Sequence, residues 1–564
     1  MLPNVQFNRL LTANPAINGP WIPVIVIAAL CINGIWWGGT EIWNADQMAF
    51  KDFFRDGHLP FSPPKFNKPP LLAYMNFAFS VVPREIIVRS LEFLNDTQYG
   101  NSLDYIGVWL AKTLQLLFAV GSVYLLWRVV AGFSDNNTAL VSAMLLASSA
   151  GFVIQAHLIT TDLPLVFFVL LAFAASQKVF TEGRLRDYAL AGLLIGLTGA
   201  MKYNGLVIGL ALPVFHCFRT CRSGVIPTIA HPYLFAGVLL VPVGFLLGNP
   251  FAIIEFERFA FDLGYLFATS SEFIGAGGDA LRQPRLFEIL ADDLAGRILI
   301  LAAVIAVPVS IVLQFRTRKL SLASASVCAA LLTALVYGAY LYPKTNVQVR
   351  WVLPILPLVL IGIAPVWAAL RLRSPRIFAG ATVVLVGYGL ICSAWVGHRF
   401  TSDPRFDAIA WVDENVPDGA TIESSTYTPN WNKHRRIDVV DVSMPSVTGR
   451  SRAYEVAFAD NSELLRRTRQ EEKEDPEDIA WYSLPALEAR NPDYVAVSSL
   501  YYDRFLSGEL ESLYPELNRY FVSLLNGNST YRVVFDQKCC KPVKYLYPRE
   551  ILFVDNRIVI LGRD

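Results

Sequence analysis

Two acidic residues in this chain sit where a carboxylate beside hydrocarbon can do proton chemistry. Asp46 lies in Trp43-Asn44-Ala45-Asp46-Gln47, a few residues past the first long apolar run, with Glu41 and Asp52 on either side. Asp162 lies in Thr160-Thr161-Asp162-Leu163-Pro164-Leu165, a very short turn between two apolar runs. A carboxylate held against lipid ionises less readily than in water and can take the proton of an attacking hydroxyl. Each has a plainer alternative: Asp46 as an interfacial loop residue, which that residue alone favours, and Asp162 as a helix cap with Pro164 in the first turn. For Asp162 both can hold at once.

Cations recur beside these carboxylates. Lys65 and Lys68 precede Pro69-Pro70, Lys202 interrupts the apolar stretch 188–217, and Lys344 and Arg350 precede a later apolar run. An ionisable group in or at the edge of hydrocarbon is costly and marks a site by default. Snorkelling to headgroups accounts well for Lys65, and less well for Lys202 and Arg350, which have helical sequence on both sides. Carboxylates and cations on one membrane face suit a phosphorylated lipid, the cations holding phosphate and a carboxylate activating a hydroxyl.

The elements that must position these residues are membrane helices. Of 564 residues, 54% are hydrophobic and only 17% charged, so lipid is part of the solvent. The formal charge of +1 gives no field for nucleic acid. Apolar runs long enough to cross ~30 Å of hydrocarbon lie near 21–40, 106–130, 138–156, 163–180, 231–248, 296–315, 322–341, 351–370 and 376–397, and 188–217 splits at Lys202-Tyr203-Asn204 into two short helices. The sum is about eleven spans, with the first retained as an anchor.

Arg128, then Lys178, Arg184 and Arg186, then Arg219 and Arg222, then Arg316, Arg318 and Lys319, then Arg371, Arg373 and Arg376 all fall on one side. By the positive-inside rule that side, with the N-terminus, is cytoplasmic. The opposite side receives 41–105, the 157–162 turn, 249–295, 342–350 and the tail. Segments 41–105 and 249–295 mix aromatic and charged residues and predict helices lying along the membrane surface.

The chain thus divides into a membrane part, 1–398, and a soluble α/β domain, 399–564. The tail predicts a helix over Pro404–Asn415, strands at Thr421–Ser425, Tyr494–Ser498 and Tyr531–Phe535, and a final pair across Asp555-Asn556. Its acidic run 471–478 reads as a solvated loop, and its aromatic residues, Trp411, Trp431, Trp481 and Tyr501 among them, read as core sooner than as sugar platforms. Adjacent Cys539 and Cys540 read as two free thiols, and no cysteine has metal-ligand spacing.

In order along the chain, Asp46, Phe66-Asn67-Lys68-Pro69-Pro70-Leu71-Leu72-Ala73-Tyr74-Met75, Thr161-Asp162-Leu163-Pro164-Leu165-Val166-Phe167-Phe168, Lys202-Tyr203-Asn204-Gly205, Asn249-Pro250-Phe251-Ala252 and Arg350-Trp351-Val352-Leu353-Pro354-Ile355-Leu356-Pro357 resemble the C-type (GT-C) membrane glycosyltransferases. The likeness is to the protein O-mannosyltransferase-like and aminoarabinose-transferase-like branch, over roughly 20–400. It implies the GT-C fold and a polyprenyl-monophosphate sugar as donor. It also implies Asp46 as catalytic base, Asp162 orienting the acceptor or sharing that role, and Lys68, Lys202, Tyr203, Lys344 and Arg350 around lipid phosphate or sugar. Gln47 departs from the acidic residue that usually follows the family's aspartate. The resemblance leans towards no metal, with a divalent cation left open.

The expected activity is therefore an inverting glycosyltransferase in the inner (plasma) membrane. Its acceptor would be a cell-envelope glycan, a glycolipid or a protein hydroxyl. The alternatives are a membrane transporter, against which stand the large amphipathic loops, and a non-catalytic partner that kept the fold, towards which Gln47 points.

Overall fold

The computed structural model describes residues 19–39, 43, 59–93, 100–220, 230–269, 286–317, 320–342, 347–434, 438–457, 465–466, 469–470, 474–540, 543, 545–549, 551 and 553–563. Asp46 and Lys344, with Glu41, Gln47 and Asp52, lie outside the described residues.

The membrane part is built from α1 (Trp21–Ile32), α2 (Leu71–Asn76), α3 (Val82–Phe93), α4 (Gly100–Ala131), α5 (Asn136–Ala147), α6 (Ala150–His157), α7 (Asp162–Thr181), α8 (Leu185–Met201), α9 (Ala211–Thr220), α10 (Pro232–Gly248), α11 (Phe256–Thr269), α12 (Arg297–Thr317), α13 (Leu322–Leu341), α14 (Ile355–Arg373) and α15 (Pro375–Thr401). Among the described residues seven helices are long and apolar enough to cross a membrane, or eight if the pair α5 and α6, bent by 59°, is one span. The expected eleven is not reached by this measure, because α1, α8, α9 and α10 are shorter than a full crossing. Helices α2 and α3 join through a π turn into one run whose Leu71–Ser90 portion is long enough to span. Sequence reading instead expects surface helices here, because 41–105 is too long for a simple connector and mixes aromatic residues such as Tyr74 and Phe77 with charges.

Three features of this bundle position polar residues. Helix α7 begins at Asp162, with Pro164 in its first turn, and packs against both α4 and α8. Helices α8 and α10 lie in backbone contact: a Cβ added at Gly196 would stand 2.0 Å from the Val241 carbonyl. Helix α8 ends at Met201 because Lys202 turns extended (φ −160°, ψ 132°), and Tyr203–Leu210 continues as a 3-10 helix before α9. The expected break at Lys202 is present and lifts that residue out of the helical ladder.

Beyond α15 lies a five-stranded sheet in the order β2-β1-β3-β5-β4, with β1 Thr421–Ser424, β2 Val440–Ser443, β3 Tyr494–Ser498, β4 Tyr531–Lys538 and β5 Arg557–Arg563. Strands β1, β2 and β3 are parallel, and β5 runs antiparallel to both β3 and β4. Alternation sends Val559 and Leu561 into one core and Ile558 and Ile560 into the other. Trp431 and Tyr501 are buried in these cores. The expected strand pair across Asp555-Asn556 is corrected, since β5 pairs with β4 and β3. Residues 545–555 instead pack back on the membrane helices: Tyr388 donates to the Tyr545 carbonyl at 2.6 Å, and Arg399 Nε to Asp555 at 2.8 Å. Cys539 and Cys540 are free thiols with their sulfurs 3.0 Å apart.

Candidate active site

At the start of α7, Asp162 is almost fully buried, and Lys202 Nζ donates to its Oδ1 at 2.5 Å. The 3-10 turn after α8 makes this reach possible. Gly205 allows that turn to press inward, since a Cβ there would stand 2.6 Å from the Thr198 carbonyl and 2.7 Å from Leu165. Arg350, just ahead of α14, and Lys68 both act electrostatically on Lys202. Three cations and a carboxylate from four separate segments thus share one electrostatic neighbourhood centred on Lys202. Tyr337 of α13, buried, is within electrostatic reach of Asp162 and beside Asn204.

Lys68 is brought here by a strap, residues 59–70, pinned at its middle. Phe66 is fully buried; its N–H donates to Asp262 of α11 at 2.8 Å, and its carbonyl accepts from Tyr203 at 2.6 Å. The Phe66 ring lies edge-on to Phe259 at 5.5 Å under the Arg258 guanidinium at 5.1 Å. Arg258 also donates to the carbonyls of Pro63 and Pro64 and pairs with Glu255. Tyr203, which the resemblance puts around the lipid phosphate or sugar, here clamps the strap that carries Lys68.

The approach to Asp46 is held from the same side. Lys112 of α4, buried, donates through Nζ to the carbonyls of Ile35 (2.6 Å) and Trp37. His157 Nε2 meets the Asn33 carbonyl at 2.7 Å, and the imidazole stacks on Phe400 at 4.4 Å. Gln115, one turn along α4 from Lys112, donates to the Thr160 carbonyl at 3.3 Å. One face of α4 therefore holds both the turn that leads into the first loop and the turn that carries Asp162.

Sequence reasoning passed over Lys112, His157, Gln115, Arg258 and Asp262. Lys112 carried a usable signal, a lone cation inside a long apolar helix. The others announce themselves only through their partners. Gln115 Oε1, Gln155 Oε1, Thr160 Oγ1 and both amide atoms of Asn249 are buried with no protein partner. Asn249 caps α10 beside Gly248, which abuts Ala200 and Leu71, so it lies level with the end of α8. Unpaired buried polar atoms are expensive, and a polyhydroxylated ligand would satisfy them. Among the described residues no group of three or more His, Cys, Asp or Glu side chains stands close enough to hold a metal ion.

Residues 105–247 match the family model described as dolichyl-phosphate-mannose-protein mannosyltransferase. No curated protein matches the sequence. Among solved structures, ArnT from Cupriavidus metallidurans bound to undecaprenyl phosphate superposes with a TM-score of 0.50 at 12% identity, covering 97% of this chain and 98% of that one. The apo form of the same protein gives 0.49 at 12% identity, over 96% of each chain. The Archaeoglobus fulgidus oligosaccharyltransferase, solved with zinc and sulfate, gives 0.46 at 13%, covering 93% of this chain and 79% of that one. The superposition on the lipid-bound ArnT carries the fold alone: this chain is a multi-pass membrane protein that shares the architecture of that structure, with a C-terminal sheet.

Proposed function

We propose that this chain is an inverting glycosyltransferase that moves a sugar from a polyprenyl-monophosphate donor to an acceptor hydroxyl at the extracytoplasmic face of the inner membrane. The observation that carries the reading is the pair of Lys202 with Asp162, with Arg350 and Lys68 in electrostatic reach of that lysine. Three cations against one buried carboxylate leave net positive charge, which suits a lipid phosphate. Two likenesses support it: the partial match to a family acting on dolichyl-phosphate-mannose, and the fold of a protein solved with undecaprenyl phosphate.

In this mechanism the acceptor oxygen attacks the anomeric carbon, Asp46 takes its proton, and the bond from that carbon to the phosphate oxygen breaks with its electron pair leaving on the phosphate. The donor is a phosphodiester, so the lipid phosphate departs as a monoester dianion of low basicity that needs charge neutralisation and no general acid; Lys202, Arg350, Lys68 and Lys344 supply it. Asp162, already paired with Lys202, orients that cation and the acceptor. Attack opposite the leaving group inverts the anomeric centre. The membrane part ends near residue 398, and the soluble domain shares the extracytoplasmic side with the site, as the loop cations require.

The test uses purified protein in nanodiscs with undecaprenyl phosphate carrying radiolabelled glucose, mannose, galactose, arabinose or 4-amino-arabinose, incubated with a cell-envelope extract. Release of undecaprenyl phosphate and transfer of label are expected with one donor, and Asp46→Asn lowers the rate at least about 100-fold. Donors left uncut, or carried intact across the bilayer, overturn the proposal in favour of a non-catalytic protein or a transporter.

A further inference from the structure

The foot of the soluble domain carries a buried ion pair that the proposed chemistry does not use. Helix α16 (Pro404–Asn415) is capped by Asp403, which accepts from the Arg405 N–H at 3.0 Å. Both side chains are fully buried, with Arg405 Nε 2.9 Å from Asp403 Oδ1 and Nη2 2.5 Å from Oδ2. The same guanidinium donates to the carbonyls of Phe553 at 2.5 Å and Trp43 at 3.4 Å. Its carbon lies 4.2 Å from the Trp43 ring centre and 5.3 Å from that of Trp37. Trp37 Nε1 donates to Asp403 Oδ2 at 2.7 Å, and the two indoles meet edge to face at 5.7 Å.

An apolar plug would hold two layers together without the desolvation that a buried pair costs; what a buried pair adds is a single permitted arrangement. The segment so arranged is a particular one. Trp37 and Trp43 bracket the chain leading into the first loop, and Asp46 follows Trp43 by three residues, a reach of at most about 10 Å. From the membrane side, Lys112 and His157 fix the preceding turn. The described residues ahead of Asp46 are therefore held from both sides, Asn33, Ile35 and Trp37 by α6 and α4 and Trp37 and Trp43 by Asp403 and Arg405.

We infer that Arg405 is a positioning residue for the reaction, fixing Trp37 and Trp43 and through them the segment that carries Asp46. The inference rests on the proposed role of Asp46 as base. It assigns the soluble domain a task in the chemical step, distinct from recognition of the acceptor.

The experiment compares Arg405→Lys, Trp37→Phe and Asp46→Asn with the unaltered protein in nanodiscs, using the undecaprenyl-phosphate sugar that the latter accepts. Lysine keeps the charge but loses the two-pronged grip and most of the stacking. Phenylalanine at 37 removes one N–H and keeps a ring in place. Expected are melting temperatures within a few degrees of the unaltered protein, a donor KM within about twofold, and kcat lowered at least tenfold by Arg405→Lys and about threefold by Trp37→Phe. A fall in kcat at constant KM and constant melting temperature separates positioning from general damage.

Should Arg405→Lys fail to fold, Trp37→Phe decides. Unchanged kcat in the folded variants, or KM and kcat declining in step with melting temperature, overturns the inference. An active Asp46→Asn protein removes the base reading and this inference with it, whereas an inactive one beside a full-speed Arg405→Lys overturns this inference alone.

Discussion

The ion pair of Asp162 with Lys202 has two duties that mutation can separate. Asp162 is buried and Lys202 partly exposed, so removing the lysine strands a buried carboxylate, at a cost of at most about 3–5 kcal/mol, while removing both is much cheaper. Lys202→Met is therefore expected to lower the melting temperature in detergent by several degrees, and Asp162→Asn with Lys202→Met to recover most of that loss. Glycosyl transfer by the double variant stays at least about 100-fold down, because the cation facing the phosphate is gone. Recovery of activity along with stability would reduce Lys202 to a structural residue. Each member of the pair was visible in the sequence, Asp162 as a charge in a turn too short for a loop and Lys202 as a break in an apolar stretch. Their contact was not visible, because forty residues of α7 and α8 separate them and only antiparallel packing brings the ends together.

At the scale of elements, the strap 59–70 and the pair α8 and α10 carry the site. The strap depends on satisfying a buried backbone: Asp262→Ala leaves the Phe66 N–H without its acceptor, a loss of about 1–3 kcal/mol, whereas Asp262→Asn keeps an oxygen there. The alanine variant is expected to weaken binding of undecaprenyl phosphate, measured by competition with a fluorescent polyprenyl phosphate, and the asparagine variant to bind nearly normally. Equal loss in both would assign the effect to charge and not to the strap. In the α8–α10 pair, Gly196→Ala drives a methyl into the Val241 carbonyl, and a destabilisation of about 1–3 kcal/mol is expected as a lower melting temperature.

Over the whole molecule, the C-terminal sheet domain is tied to the bundle by polar contacts as well as by the Arg405 cluster. Asp292, in the turn before α12, pairs with Arg297 at 2.5 Å and lies 3.4 Å from Arg549 of the returning segment. The hydrogen bond from Arg297, aided by the charge of Arg549 and opposed by partial burial, holds its carboxyl below the usual carboxylate range. A carboxyl depressed in the folded state stabilises above its unfolded value and loses that contribution only as pH falls through the folded one. Asp292→Asn is therefore expected to lower the melting temperature by the same small amount from pH 8 to pH 5. The gap should close only below about pH 4, and closing it near neutrality would show that another group is responsible.

The sequence by itself determined that this chain lies in a membrane, where its apolar runs and breaks fall, that a soluble α/β unit follows, and which charges stand too near hydrocarbon to be casual. Such features are written locally, in hydropathy, periodicity and the cost of isolated charge. Only the tertiary structure decided that Lys202 reaches Asp162, that Phe66 is clamped between Asp262 and Tyr203, that β5 pairs with β4 and β3, and that Arg405 grips Trp37 and Trp43 across more than three hundred residues. Those contacts join segments distant in the chain, and the energy that selects them, the pairing of polar groups once packing has shut out water, exists only after the helices and sheet are in place.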